Sequence, residues 1–199
     1  MFNKYFQKAA AVLQMIDTSS LIAVSELMID CYKKDACIYI MGNGGSGATA
    51  MHVAGDYIKG VSFGLEKRFR FISLNDNLAA ILAIANDLSY DDIFVEQIRG
   101  GLKENDIVIG ISGSGNSANV VKALEYAKSL NVKTIAFSGF KGGLIKKLAD
   151  LSVHIPVDDM EIAEDMHLLV FHAIKQYIIS KLKPGISSMG NEYDKRVNS

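Results

Sequence analysis

Twice in this chain a short apolar run gives way to a glycine- and serine-rich loop that opens a helical pattern. The first loop, Met41-Gly42-Asn43-Gly44-Gly45-Ser46-Gly47, follows Cys37-Ile38-Tyr39-Ile40. The second, Ser112-Gly113-Ser114-Gly115-Asn116-Ser117, follows Ile107-Val108-Ile109-Gly110-Ile111. Glycines let the backbone approach a ligand closely, and the first turn of a helix presents unpaired N–H groups to an anion. Two such strand–loop–helix junctions can face one ligand, and the ligand they point to is a phosphorylated small molecule.

The rest of the chain continues the alternation. Strand-like runs fall at 37–41, 69–74, 107–111, 134–138 and 151–155, the last ending at Pro156. Helical patterns fill 47–59, 78–87, 91–101, 117–130 and 141–149, and a final helix is expected over about 159–182. Near-continuous apolar strands separated by helices are the mark of a parallel sheet covered on both faces. The expected fold is therefore α/β, a five-stranded parallel sheet in a three-layer sandwich, forming one domain over residues 1–183. Residues 2–34 carry Phe2, Phe6, Ala9, Leu13, Ile16, Leu21, Val24, Leu27, Met28 and Cys31 at helical spacing, as one long or two shorter helices. This N-terminal segment, 1–35, supplies more apolar surface than such a sheet needs, and the surplus predicts a homo-oligomer. The stretch 184–199 is polar and reads as a frayed tail.

Composition narrows the function classes. A formal charge of -1, spread through 199 residues, offers no basic face for nucleic acid or an anionic membrane. If phosphate is bound, hydroxyls and backbone N–H groups bind it more than a lysine cluster does. Cys31 and Cys37 are too few for a disulfide framework, no charged leader with an apolar core opens the chain, and every apolar run is short of a membrane span. A cytoplasmic location is expected.

The first loop matches G-x-G-x-x-G through Gly42, Gly44 and Gly47, but the dinucleotide fingerprint also wants a second strand ending in an acidic residue about 20 residues on. Lys59-Gly60-Val61-Ser62-Phe63-Gly64 follows the helix instead. A Walker loop fails for want of Gly-Lys-Ser/Thr, and Gly110-Ile111-Ser112-Gly113-Ser114 lacks the last glycine of a nucleophile elbow. The second loop carries more weight. Ser112, Ser114, Ser117 and Asn116 set several donors around one turn, where an ordinary N-cap needs only one.

In order and at fitting intervals, Gly42-Asn43-Gly44-Gly45-Ser46, Asn86-Asp87, the 110–117 loop and Gly139-Phe140-Lys141-Gly142-Gly143 resemble the SIS (sugar isomerase) domain. Within it they are similar to the sedoheptulose-7-phosphate, or phosphoheptose, isomerases. The resemblance covers nearly the whole chain. It implies an aldose–ketose interconversion of sedoheptulose 7-phosphate and a manno-heptose 7-phosphate, through an enediolate, toward heptose units of bacterial surface glycans. Such chemistry needs a base, an acid and stabilisation of the developing oxyanion.

His52 and Asp56 lie four apart, on one face of the helix after the first loop. The residues alone leave a structural pair and a ligand pair equally open. The resemblance implies that both belong to a metal site, often zinc, and that the carboxylate at 56 is the base. It places His172 as the second catalytic histidine and metal ligand, and Glu164 where a metal-binding glutamine commonly stands. His167 also matches a family histidine, and a core or interface position is the favoured reading for it. Two departures stand out: Asp56 for glutamate shortens the base by one methylene, and Glu164 for glutamine adds a negative charge. Both leave a donor set suited to Zn²⁺, and both open the identity of the phosphosugar.

By the same match, Asn43, Gly44, Gly45 and Ser46 contact substrate, and Ser112, Gly113, Ser114 and Ser117 hold phosphate, with Asn116 supporting the turn. A residue of Asn75-Asp76-Asn77, with Asp76 and Asn77 as candidates, reaches the sugar. Homotetramers with sites shared between subunits are implied as well. Two other readings stay open: a non-catalytic relative that binds proteins, and a phosphosugar-sensing module. Titratable side chains at Asp56 and His172 favour the enzyme over the first, and the lack of anything resembling a DNA-binding segment before Cys37 weighs against the second.

Overall fold

Branched and aromatic residues in the five apolar runs pair side by side as strands β1 (Cys37–Gly42), β2 (Arg70–Ser73), β3 (Ile107–Ser112), β4 (Lys133–Ser138) and β5 (Leu151–His154). In this computed structural model, which describes residues 1–185, all pairings are parallel and the order is β2-β1-β3-β4-β5. The register sets Ile40 beside Ile109 and Ile109 beside Ile135. Every residue of β3 is buried, as a central strand covered on both faces demands, while edge strand β2 alternates exposed and buried positions. The expected sheet and its layers are those observed.

The N-terminal segment forms two helices, α1 (Phe2–Leu13) and α2 (Thr18–Lys33), bent by 69°. Asp17 separates them, accepting the Ser19 N–H at 2.9 Å as the cap of α2. Then follow α3 (Gly44–Gly55), α4 (Leu78–Asp87), α5 (Val95–Ile98), α6 (Ala118–Ser129), α7 (Gly143–Leu148) and α8 (Met160–Leu182). Residues of α2, α3 and α8 share one core with one face of the sheet, centred on Ile38, Ile109, Phe137 and Phe171. Those of α5, α6 and α7 close the other face around Val108, Ala136 and Phe94. Because α3 leaves β1 toward one face and α6 leaves adjacent β3 toward the other, the two glycine-rich loops flank a topological switch point, where open parallel sheets bind ligands.

Three helices differ from expectation. The 47–59 helix starts at Gly44 and widens into a π-helical turn over Asp56–Val61. There Ser62 secures the end by donating to the Tyr57 carbonyl at 2.7 Å and accepting the Phe69 N–H at 2.8 Å. In place of one helix over 91–101 stand a 3₁₀ turn, Tyr90–Asp92, and the single turn of α5. Asp92 is drawn outward to Ser89 and Lys122, and Gly100, at φ +73°, ends the helix. The helix expected over 141–149 is confined to α7, because Phe140 and Gly142 before it are left-handed. The end of the expected domain, 183, falls at the C-cap of α8, and residues 186–199 of the expected tail lie outside the described residues.

Apolar surface remains uncovered. Phe2 and Phe6 on α1 are exposed, and α4 buries none of its residues, leaving Leu78 and Leu82 outward. Among the described residues no single helix is long and apolar enough to cross a membrane.

Candidate active site

The second loop curls its hydroxyls inward. Ser112 Oγ lies 3.0 Å from Ser117 Oγ and 3.5 Å from Ser114 Oγ, while accepting the Gly115 N–H at 3.1 Å. Gly115 allows the curl through φ +71°, and it passes so close to the Gly142 carbonyl that a Cβ there would overlap it. Asn116 accepts the Leu144 N–H at 3.0 Å, tying the loop to the start of α7. The resulting cavity, about 190 Å³, is lined by Asn43, Ser46, Ser112, Gly113, Ser114, Ser117, Met160 and Glu164. Hydroxyls and the N-termini of α3 and α6 form much of its wall, Glu164 stands at one side, and no lysine or arginine lines it. The serine-loop side of this cavity, rich in hydroxyls and helix N–H groups, is suited to a phosphate monoester.

Asn43, expected against substrate, is also committed to the protein. Its amide pairs with that of Asn119 through bonds of 2.9 and 3.0 Å, and its Oδ1 accepts the Tyr90 hydroxyl at 3.0 Å. The pair ties the first loop to the helix that follows the second. Gly44 and Gly45 begin α3, and the Glu164 carboxylate fills the space over Gly45 that any side chain would take. Burial first, then the negative charges of Glu161 and Asp165, push the Glu164 carboxyl above its ordinary range. Of the 75–77 stretch, Asn75 grips Gly42 through its N–H and carbonyl, at 3.3 and 2.8 Å. Asn77 caps α4 by accepting the Ala80 N–H, Asp76 is exposed, and none of the three lines the cavity.

Farther along α3 and α8, where the first passes into its π-helical turn, stand His52, Asp56 and His172. The two Nε2 atoms are 3.0 Å apart, and Asp56 Oδ2 is 3.5 Å from each. Edges of a tetrahedron with metal bonds of 2.0–2.1 Å measure about 3.3 Å, so these three donors have the spacing and the chemistry of a divalent zinc site. Among the described residues they are the one group of three or more such side chains within ligand distance of one another. Glu164 is not brought to them. It lies eight residues before His172 on α8, about 12 Å along the axis, and walls the serine-loop cavity.

Two residues at this site escape the sequence reading. Lys175 places its Nζ 2.8 Å from Asp56 Oδ2. Three residues after His172 in an otherwise apolar turn, it shares that histidine's face, which is the signal that was available. Tyr90 had no such signal, since only the fold carries its hydroxyl to Asn43. His167, by contrast, is fully buried against the edge of Phe137, as expected of a core residue.

Residues 4–139 match the sequence model of the family described as SIS domain. A phosphoheptose isomerase of Helicobacter pylori is 41% identical over 149 residues, covering 74% of this chain and 77% of the relative. Phosphoheptose isomerase 1 of Campylobacter jejuni is 36% identical over 180 residues, or 89% of this chain and 96% of the relative. The solved phosphoheptose isomerase of Neisseria gonorrhoeae superposes with a TM-score of 0.83 at 30% identity, covering 90% of this chain and 97% of that one.

Proposed function

The chain belongs to the SIS domain family, and from that footing we propose that it is a phosphoheptose isomerase, interconverting sedoheptulose 7-phosphate and D-glycero-D-manno-heptose 7-phosphate for the heptose of bacterial surface glycans. One observation carries the reading: a hydroxyl-lined cavity at the N-terminus of α3 and a His–Asp–His cluster at the other end of the same helix. From Ser46 to His52 that helix rises about 9 Å, a length an extended seven-carbon sugar spans with its phosphate in the serine loop and its carbonyl end at the cluster.

In this assignment Ser112, Ser114 and Ser117, with the N-terminal amides of α3 and α6, hold the phosphate and set the reach of the sugar. Asp56 Oδ2 takes the proton from the carbon beside the carbonyl and returns it to the neighbouring carbon. His172 Nε2 moves the proton between the two oxygens of the enediolate. His52, Asp56 and His172 are the residues to hold zinc, which when bound supplies Lewis-acid polarisation of the carbonyl. Glu164 faces the sugar between cradle and cluster. The exposed faces of α1 and α4 support a homotetramer, and the neutral charge balance supports a protein free in the cytoplasm.

The test is solvent-deuterium incorporation into sedoheptulose 7-phosphate, followed by NMR on chelator-treated protein before and after zinc is returned. Deuterium in the sugar together with a new aldose signal is the expected result. A sugar phosphate that raises the melting temperature but exchanges no proton would refute the isomerase and leave a binding protein.

A further inference from the structure

The candidate active site already contains a cation, and it belongs to the chain. Lys175 Nζ meets Asp56 Oδ2 at 2.8 Å, and this is the oxygen that lies 3.5 Å from both His52 and His172. Its side chain is only 17% exposed, so the ammonium is not a solvated surface charge that happens to point inward.

The surrounding backbone is shaped for it. Lys175 reaches Asp56 across Gly60, inside the wide turn Asp56–Val61, where an added Cβ would stand 3.1 Å from Nζ and 3.2 Å from Cε. A side chain at position 60 would press on the ammonium. The π-helical turn therefore does two things together: it turns Asp56 toward the histidines and opens a passage for the lysine.

The geometry points to Lys175 as a positioning residue that holds Asp56 at ligand spacing without a metal and lowers the affinity of the cluster for divalent cations. This rests on the reading of His52, Asp56 and His172 as a metal site. Charge counting gives the reason: the Lys175 ammonium offsets the Asp56 carboxylate, so with the lysine present a dication enters a site one unit more positive than it would without it. A unit charge about 4 Å from a dication, even screened as in bulk water, changes binding about thirtyfold. The same ion pair meanwhile holds Asp56 Oδ2 within 3.5 Å of both imidazoles.

Calorimetric titration of zinc into chelator-treated protein tests this with no recourse to activity. The Lys175→Met variant, which keeps an unbranched side chain shorter by one atom and loses the charge, is expected to bind zinc at least about tenfold more tightly than the unaltered chain. Damage to the fold would weaken binding, so a gain separates the two causes. Gly60→Ala, whose Cβ presses on Nζ and Cε and loosens the ion pair with Asp56, is expected to move affinity in the same direction by a smaller factor, and serves in place of Lys175→Met if that variant does not fold. Binding by a variant alone, with none by the unaltered chain, would be the extreme form of the same result. Equal or weaker binding in the variants overturns the role of Lys175 and leaves the metal site standing. No binding by any of the proteins overturns both.

Discussion

Acidification from pH 7 to pH 5 should remove a defined part of this protein's stability through one side chain. His167 sits on α8 with no exposed surface, its ring 6.3 Å from that of Phe137 and nearly perpendicular to it. Neither ring nitrogen has a hydrogen-bond partner among the described residues. Burial lowers its pKa from the ordinary 6.5 to about 4, outweighing the opposing pull of the Ser138 backbone. A depressed histidine means that, between these two values, the unfolded chain binds the proton and the folded one does not. Stability is therefore full above pH 6.5 and falls as pH drops toward 4. The whole shift is worth about 3 kcal/mol, of which about 2 kcal/mol is lost by pH 5. For a chain of this length that lowers the melting temperature by about 4–8 °C. Asp92, Asp150 and Asp159 are held below their ordinary 3.8 and act at lower pH, while Glu164, raised by burial, works in the opposite sense. Thermal melts followed by circular dichroism at pH 7 and pH 5, at one protein concentration, measure the loss. The control is His167→Leu, expected to flatten the curve over this window and to be no less stable at pH 5. Parallel curves for the two proteins would refute the argument, since the buried ring would then not be what senses the proton.

Three further outcomes follow from the site. Ser112→Ala removes the hydroxyl that joins Ser117 and Gly115, and should weaken binding of a sugar phosphate about tenfold by titration calorimetry while secondary structure is unchanged. Gly115→Ala sets a Cβ against the Gly142 carbonyl at a left-handed φ, and a loss of about 2 kcal/mol or more in urea unfolding is expected. Asn119→Ala leaves Asn43 without its amide partner, so affinity for the sugar phosphate should fall in parallel with faster amide exchange at Gly44 and Gly45; unchanged exchange would mean that the pair does not order the first loop.

Legibility in the sequence followed how local each cause was. The glycine-rich loops, the strands they follow and the clustered serines were readable because hydroxyls around a turn and an apolar run before it are neighbours in the chain. His52 and Asp56 were readable as a face of one helix. The helix expected over 91–101 was not, because apolar spacing around Ile93, Phe94, Val95 and Ile98 records burial, while Asp92 and Gly100 decide the backbone path. Glu164 was readable as a polar residue on the last helix but not as a wall of the serine-loop cavity, since the turn of α8 on which it stands meets Gly45 only in the folded chain.

The sequence by itself determined a parallel α/β sheet, two ligand-facing loops and the chemical types of the site, because periodicity and loop composition are properties of consecutive residues. Only the tertiary structure decided that β1 and β3 lie side by side, so that the two loops open on one crevice. It also decided that His172 meets His52 across 120 residues, and that Lys175 lies on Asp56 over Gly60. Those contacts join α3 and the π-helical turn after it to α8, and no local preference of these segments encodes their relative depth. Packing against a shared core sets it, and with it the spacing of the donors.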